Sequence, residues 1–358
     1  MMNEQQQANV LDKLKSLQDP ETGRTLAATG QLLSTSFSSH GVELVIGLTS
    51  HSAPLREKFI EKVKSEVAKV DPSLVVAVTI KAFERPPQPL GTIGLTCKSV
   101  IAVGSGKGGV GKSTVATSLA LALKRAGCRT GLLDADVYGP SVPQLLGLKG
   151  QPPIVDNKIQ PIEFDGMPVM SIGLLVQPEE AVIWRGPMLH SAVTRFVRDV
   201  HWGPLDYLII DMPPGTGDVA LSLSQMVPLT GAVVVCTPQR VALLDAIKAV
   251  AMFQKVQIPV LGLVENMSTF ICPDTGKQYD IFGSGGVKQF AEYASLPFLG
   301  ELPINIGIRE RGDTGDTIAN FTDPQVATYL NRLAENLAEI LAKRAAANPV
   351  RPQLPILK

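Results

Sequence analysis

The sequence predicts an α/β protein: a doubly wound, mostly parallel sheet domain preceded by a small α+β domain. Three observations predict it. From Ser99 onward, short apolar runs without polar alternation take turns with helical segments, the pattern of parallel strands covered on both faces. Gly106-Lys107-Gly108-Gly109-Val110-Gly111-Lys112-Ser113 fits G-x-x-x-x-G-K-[ST] between a strand-like and a helix-like stretch. Residues 1–85 carry their own helix and strand pattern, set off by the stiff Arg85-Pro86-Pro87-Gln88-Pro89.

The small domain reads α-β-β-α-β. Val10, Leu11, Leu14 and Leu17 recur at helical spacing until Asp19-Pro20-Glu21-Thr22-Gly23 breaks the helix. Leu32–Ser38 and Val42–Thr49 are strands around the His40-Gly41 turn. Leu55, Phe59, Ile60, Val63, Val67 and Val70 form one helix face, with Pro54 suited to the first turn. Leu74–Phe83 closes the unit as a strand. The expected divisions are 1–85 for this domain, 86–98 for a Pro-rich linker, 99–346 for the second domain and 347–358 for a disordered Pro-rich tail.

In the second domain the strands are Val100–Val103, Thr130–Leu133, Tyr207–Ile210, Ala232–Cys236, Val260–Val264 and Pro297–Leu299. Lys158–Gly173, centred on Asp165-Gly166, reads as an inserted β-hairpin. Residues 323–346 place Val326, Leu330, Leu333, Leu337, Ile340 and Leu341 on one helical face. The opposite face mixes Arg332, Glu335, Glu339, Lys343 and Arg344, which favours docking on the sheet over lying on a membrane.

Composition narrows the function. The 358 residues hold 33 basic and 33 acidic side chains, without the basic excess of a nucleic-acid protein. No apolar run reaches the ~18 residues of a membrane span, and the opening MMNEQQQANV lacks a secretory pattern. Cys97, Cys128, Cys236 and Cys272 are too few and scattered for a disulfide framework. The expectation is a cytoplasmic protein with no nucleic-acid or membrane partner.

The glycine-rich segment predicts a phosphate loop. Gly106, Gly108, Gly109 and Gly111 let backbone N–H groups, including that of Val110, turn inward around phosphate oxygens. The helix opening at Thr114 adds its positive end. Lys112 is suited to neutralise the β/γ-phosphates, and Ser113 to ligate Mg²⁺. Asp211 closes the apolar run Leu208-Ile209-Ile210, fitting a carboxylate that holds Mg²⁺ through water, and Gly215 follows in a loop suited to sensing the γ-phosphate. Asp136 ends the second strand two residues after Asp134, where open α/β sheets bind ligands. Asp134 reads as a structural or Mg²⁺-shell residue. His40, His51, His190 and His201 show no metal spacing.

The second lysine, Lys107, makes the loop resemble the deviant phosphate loop of the dimeric P-loop ATPases that include MinD, ParA and the nitrogenase iron protein. That resemblance implies ATP and Mg²⁺ as ligands and a homodimer in which Lys107 reaches the partner's nucleotide. It also implies Asp136 as the carboxylate positioning the attacking water, and Asn266 as an adenine contact. Asp134-Ala135-Asp136-Val137-Tyr138-Gly139-Pro140-Ser141, Trp184-Arg185-Gly186-Pro187-Met188 and Asp211-Met212-Pro213-Pro214-Gly215-Thr216-Gly217-Asp218 narrow it further. From about residue 97 to 343 the chain is similar to the Mrp/ApbC family of iron–sulfur cluster carrier ATPases. Residues 1–85 resemble the small domain of SufT- and PaaD-type assembly factors through Asp19-Pro20-Glu21 and Ala53-Pro54-Leu55.

The family resemblance implies an ATPase that passes clusters to apoproteins and works with iron–sulfur assembly proteins. Its metal motif is C-P-x-C, so that a dimer offers four thiolates to a bridging [4Fe–4S] cluster. Here the motif reads Cys272-Pro273-Asp274-Thr275, and the small domain's expected cysteine is Ala53. Two thiolates per dimer remain. The alternatives are a nucleotide-switched adaptor without durable cluster binding and a positioning ATPase of the MinD or ParA kind. Cys272 is expected beside a turn, after a helix-like or loop segment Met267–Ile271.

Overall fold

In the computed structural model the chain forms two compact units, residues 1–85 with 338–358, and residues 86–337. The structure describes residues 4–38, 41–90, 94–175, 186–215 and 227–349, with backbone alone over 186–191. His40, Trp184-Arg185, the His190 side chain, Thr216-Gly217-Asp218 and the end of the tail lie outside those residues.

The first unit has the expected α-β-β-α-β order. Helix Glu4–Ser16 and helix Arg56–Ala68 cover a sheet of Leu32–Phe37, Gly41–Leu48 and Val75–Ala82. The first two strands are antiparallel and the last pair is parallel, joined by the helical crossover. Val10, Leu14, Phe59, Val63 and Val67 meet Leu44 and Ile46 in one core. The C-terminal end of helix Pro324–Ala347 belongs to this unit, with Glu339 2.7 Å from Lys58. A Cβ on Gly23 would lie 2.0 Å from the Ala345 carbonyl oxygen, so only glycine fits that approach. The expected apolar stripe is therefore divided: Val326, Leu330, Leu333 and Leu337 belong to the second unit and Leu341 to the first, all of them buried.

The second unit is built on a sheet that is ten-stranded among the described residues. Strands run in the order Gln278–Tyr279, Val260–Ile271, Gly231–Cys236, Leu95–Ser105, Leu205–Asp211, Thr130–Asp134, Met167–Ser171, Ile162–Phe164. Phe298–Ile304 also pairs with Val260–Ile271. The central pairings are parallel, and Gln278–Tyr279 and Ile162–Phe164 pair antiparallel at the margins. The inserted hairpin is present, turning at Asp165-Gly166 with both residues at positive φ. Its second strand extends the main sheet beside Thr130–Asp134.

Several boundaries differ from the sequence reading; the last expected strand, Pro297–Leu299, runs Phe298–Ile304. The central strand begins at Leu95, inside the expected linker, and Pro89–Leu90 folds back to pair with it. Met267–Ile271 is strand, not helix or loop. The cause is a bulge: Met267 takes φ +57°, and pairing with Phe298–Ile304 shifts register between Asn266 and Phe270. Such an irregularity hides a strand's period from the sequence.

Candidate functional site

The C-terminal ends of four parallel strands gather the site residues, where open α/β sheets bind ligands. Leu95–Ser105 delivers the glycine loop, Thr130–Asp134 delivers Asp134 and Asp136, Leu205–Asp211 ends in Asp211, and Val260–Ile271 carries Asn266. The loop's shape is set by sterics. A Cβ on Gly106 would lie 2.1 Å from the Asp245 carbonyl, and Gly109 and Gly111 both take φ +80°. Gly111 starts helix Lys112–Arg125, so Ser113 and Thr114 stand in its first turn. Asn266 donates from Nδ2 to the Val110 carbonyl at 2.8 Å, pinning the loop to the strand.

Lys112 is 6% exposed and lies between two carboxylates. Its Nζ is 2.6 Å from Asp211 Oδ1 and 3.3 Å from Asp136 Oδ2, with Ser113 Oγ at 3.5 Å. Burial pushes the Asp211 carboxyl up, and the Lys112 ammonium opposes that shift. Asp134 sits level with Asp211 on the adjacent strand. Burial first, and Asp211's charge second, push Asp134 up to about 7. Asp134 accepts from the Asp136 N–H (3.1 Å), the Val142 N–H (3.2 Å) and Ser171 Oγ (3.0 Å). It therefore shapes the loop that carries Asp136.

Two buried carboxylate oxygens, Asp136 Oδ1 and Asp211 Oδ2, have no hydrogen-bond partner. Orphaned carboxylate oxygens close to a hydroxyl fit a hard divalent cation, and Mg²⁺ needs only one or two protein carboxylates when phosphates and waters complete its shell. Gly215 takes φ +87° and donates its N–H to the Ser105 carbonyl at 2.9 Å. Its amide is committed there and reaches a γ-phosphate only if that bond breaks. Lys107 is half-buried and pairs with no carboxylate among the described residues.

Cys272 stands at a hairpin tip. Its N–H donates to the Lys277 carbonyl and its own carbonyl accepts from Gly276 N–H, both at 2.9 Å. The Thr275 hydroxyl, then the Thr275 and Asp274 backbone, hold the Cys272 thiol below the usual range. Thr275 thus occupies the second cysteine's position, in the same turn as the first. The other thiols are buried, Cys97 and Cys236 in strands with burial pushing both up to about 12. In the small domain Ala53 lies in the 3₁₀ turn Ser50–Leu55. Nearby, Thr49 donates to Glu21, and fully buried Asp19 is 2.8 Å from Arg85. Burial raises Asp19, yet Thr22, Arg85 and Gln31 together hold it low.

Sequence reasoning missed three features. Arg85, read as linker, is the cation that satisfies Asp19. Glu265, buried beside Asn266, accepts from the Gly285 and Val287 N–H groups. Ile281 and Phe282 line a cavity of about 710 Å³ that also touches Gly111, Thr114 and Asn266. A glutamate closing an apolar strand was the one available signal for the second.

This phosphate loop, on a doubly wound sheet with paired carboxylates at its strand ends, defines a P-loop NTPase. Residues 96–338 match the family described as NUBPL iron-transfer P-loop NTPase, and residues 7–80 match iron-sulfur cluster assembly protein. The chain belongs to that iron-transfer NTPase family. It is 44% identical to the iron-sulfur cluster carrier protein of Deinococcus radiodurans over 97% of this chain and 99% of that one. The Escherichia coli K12 iron-sulfur cluster carrier protein is 40% identical over 94% and 95%. A nucleotide-binding protein of Archaeoglobus fulgidus, solved in complex with ADP, is 39% identical at TM-score 0.56, covering 62% of this chain and 88% of that one. The cell division ATPase MinD of Pyrococcus furiosus shares the fold at 24% identity and TM-score 0.51, over 68% and 99%. No helix among the described residues is long and apolar enough to cross a membrane.

Proposed function

We propose that the protein is an ATP-hydrolysing carrier that loads iron–sulfur clusters and passes them to apoproteins, acting as a homodimer in the cytoplasm. The observation that carries the ATPase reading is Lys112 buried between Asp211 and Asp136, each with one unpartnered oxygen. The carrier reading is supported by the names of the full-length relatives and by Cys272 on its hairpin. Four free thiols fit a reducing compartment.

In this reading the backbone N–H groups of 108–114 cradle the phosphates, and Lys112 carries charge that develops on the γ-phosphoryl oxygens. Asp136 accepts a hydrogen bond from the attacking water and aims its oxygen at phosphorus. The new water–phosphorus bond forms as the bond to the β-phosphate oxygen breaks, leaving ADP and phosphate. Ser113 and Asp211 would hold Mg²⁺, which when bound would neutralise phosphate charge. Lys107 reaches the nucleotide of a second subunit. The Cys272 thiolates of two subunits hold the cluster as cargo, with client or small-thiol ligands completing the iron shells.

A second reading keeps the ATPase and replaces durable cluster binding with an adaptor role. Thr275 and Ala53, standing where thiolates are expected, favour it. Mg²⁺-dependent phosphate release tests the ATPase: turnover in the wild type and its loss in Asp136→Ala support it, and equal turnover in both opposes it. Iron counting after anaerobic reconstitution separates carrier from adaptor.

A further inference from the structure

Ser171 closes the strand that returns from the inserted hairpin, and Asp134 closes the parallel strand beside it, with the two residues level. Both side chains are fully buried. The Asp134 carboxylate gathers a loop at its two ends. Its Oδ1 accepts from the Asp136 N–H at 3.1 Å, and its Oδ2 accepts from the Val142 N–H at 3.2 Å. The loop so closed begins with Asp136, the carboxylate assigned to the attacking water.

Those two bonds tie the loop to the carboxylate and not to the sheet. Both donors belong to the loop, so loop and carboxylate are free to turn together about the Asp134 side-chain torsions. The third donor differs, because it stands on the neighbouring strand. Ser171 Oγ donates to Asp134 Oδ2 at 3.0 Å, since a carboxylate only accepts. The same Oγ accepts from the Gly173 N–H at 3.1 Å, which holds the hydroxyl in place. The turn after Ser171 meets the loop a second time: a Cβ on Gly173 would lie 3.0 Å from Cβ and Cγ of Pro140.

We propose that Ser171 is a positioning residue for ATP hydrolysis: it holds the Asp134 carboxylate to the sheet, and thereby fixes the 136–142 loop and the aim of Asp136 at the attacking water. The inserted hairpin thus serves the nucleotide site, because its returning strand supplies the anchor. This rests on the ATPase reading above. Precision is what the anchor contributes, since a misplacement of about 1 Å at a reacting group costs on the order of a hundredfold in rate.

The test uses the full chain as wild type and as Ser171→Ala, with Mg-ATP turnover, ADP affinity and amide hydrogen exchange read peptide by peptide. In the variant kcat falls about tenfold or more, while the KM for ATP and the Kd for ADP stay within about twofold, because the glycine cradle and Lys112 are untouched. Without nucleotide, exchange over 135–142 speeds up about tenfold, the worth of one hydrogen bond to a carboxylate, and exchange over helix Lys112–Arg125 is unchanged. The retained ADP affinity certifies the fold. A wild-type kcat in Ser171→Ala overturns the proposal while leaving the ATPase reading standing. So does an ADP affinity that falls as far as kcat, which marks a general loss of structure. Exchange over 135–142 equal to that of the wild type overturns it too. A wild type that hydrolyses no ATP overturns both.

Discussion

The Lys112 ammonium and the Asp211 carboxylate face each other at 2.6 Å, both shut away from water. Asp136 approaches the same ammonium at 3.3 Å, so one lysine serves two carboxylates whose outer oxygens are unpartnered. Removing one member of a buried pair exposes the other to the full cost of an uncompensated charge.

Lys112→Ala should therefore lose ATP hydrolysis and also stability, by about 3 kcal/mol. Phosphate release and urea unfolding check the two effects. Asp136→Ala should keep nucleotide binding and lose turnover by about 10²–10⁴-fold, because it removes water positioning and leaves the glycine cradle. Equal loss of ADP binding in both variants would contradict this division of labour.

Lys107 pairs with no carboxylate among the described residues, and a second ammonium on the phosphates already served by Lys112 would crowd like charges. Lys107→Ala should weaken ATP-dependent dimerisation in sedimentation about tenfold, with the monomer's ADP affinity nearly unchanged. Unchanged association would place Lys107 in its own subunit's site.

Thr275 makes a pH prediction. Its hydroxyl is the largest of the influences that lower the Cys272 thiol, so Cys272 alkylation should rise with pH around a midpoint below that of an ordinary thiol. Thr275→Val removes that hydroxyl, and the midpoint should move up. A midpoint that stays put would show that the backbone alone tunes the thiol.

Glu339 gives the stability counterpart in the first unit. Hydrogen bonds from Lys343 and Lys58 hold it at about 2, against 4.5 ordinarily. A lowered carboxyl contributes stability that is present above about pH 4.5 and is lost as pH falls toward 2. Its side chain is 34% exposed, so the discounted contribution is under about 1 kcal/mol. Glu339→Gln should flatten that acid limb in denaturant titrations at successive pH values.

The phosphate loop, its flanking strand and helix, Asp136, Asp211 and the small domain's element order were legible because each is local: glycine spacing, apolar runs and helical periods are written in adjacent residues. What stayed hidden depends on distance or irregularity. The Met267 bulge masked a strand's period. The Arg85–Asp19 pair spans 66 positions, and a proline run made Arg85 look like linker. Gly215's amide bond to Ser105 depends on two loops meeting, which no spacing foretells.

The most direct measurement of the carrier reading is iron per dimer, with visible absorbance, after anaerobic reconstitution of wild type, Cys272→Ser and Thr275→Cys. Because residue 275 lies in the turn that Gly276 closes onto the Cys272 carbonyl, a thiol there would stand beside Cys272 and supply the missing pair of ligands. The expected result is an oxygen-labile, substoichiometric cluster in the wild type, none in Cys272→Ser, and a stable four-iron cluster per dimer in Thr275→Cys. A stable four-iron cluster that survives Cys272→Ser would contradict it and put the cargo's ligands elsewhere in the chain.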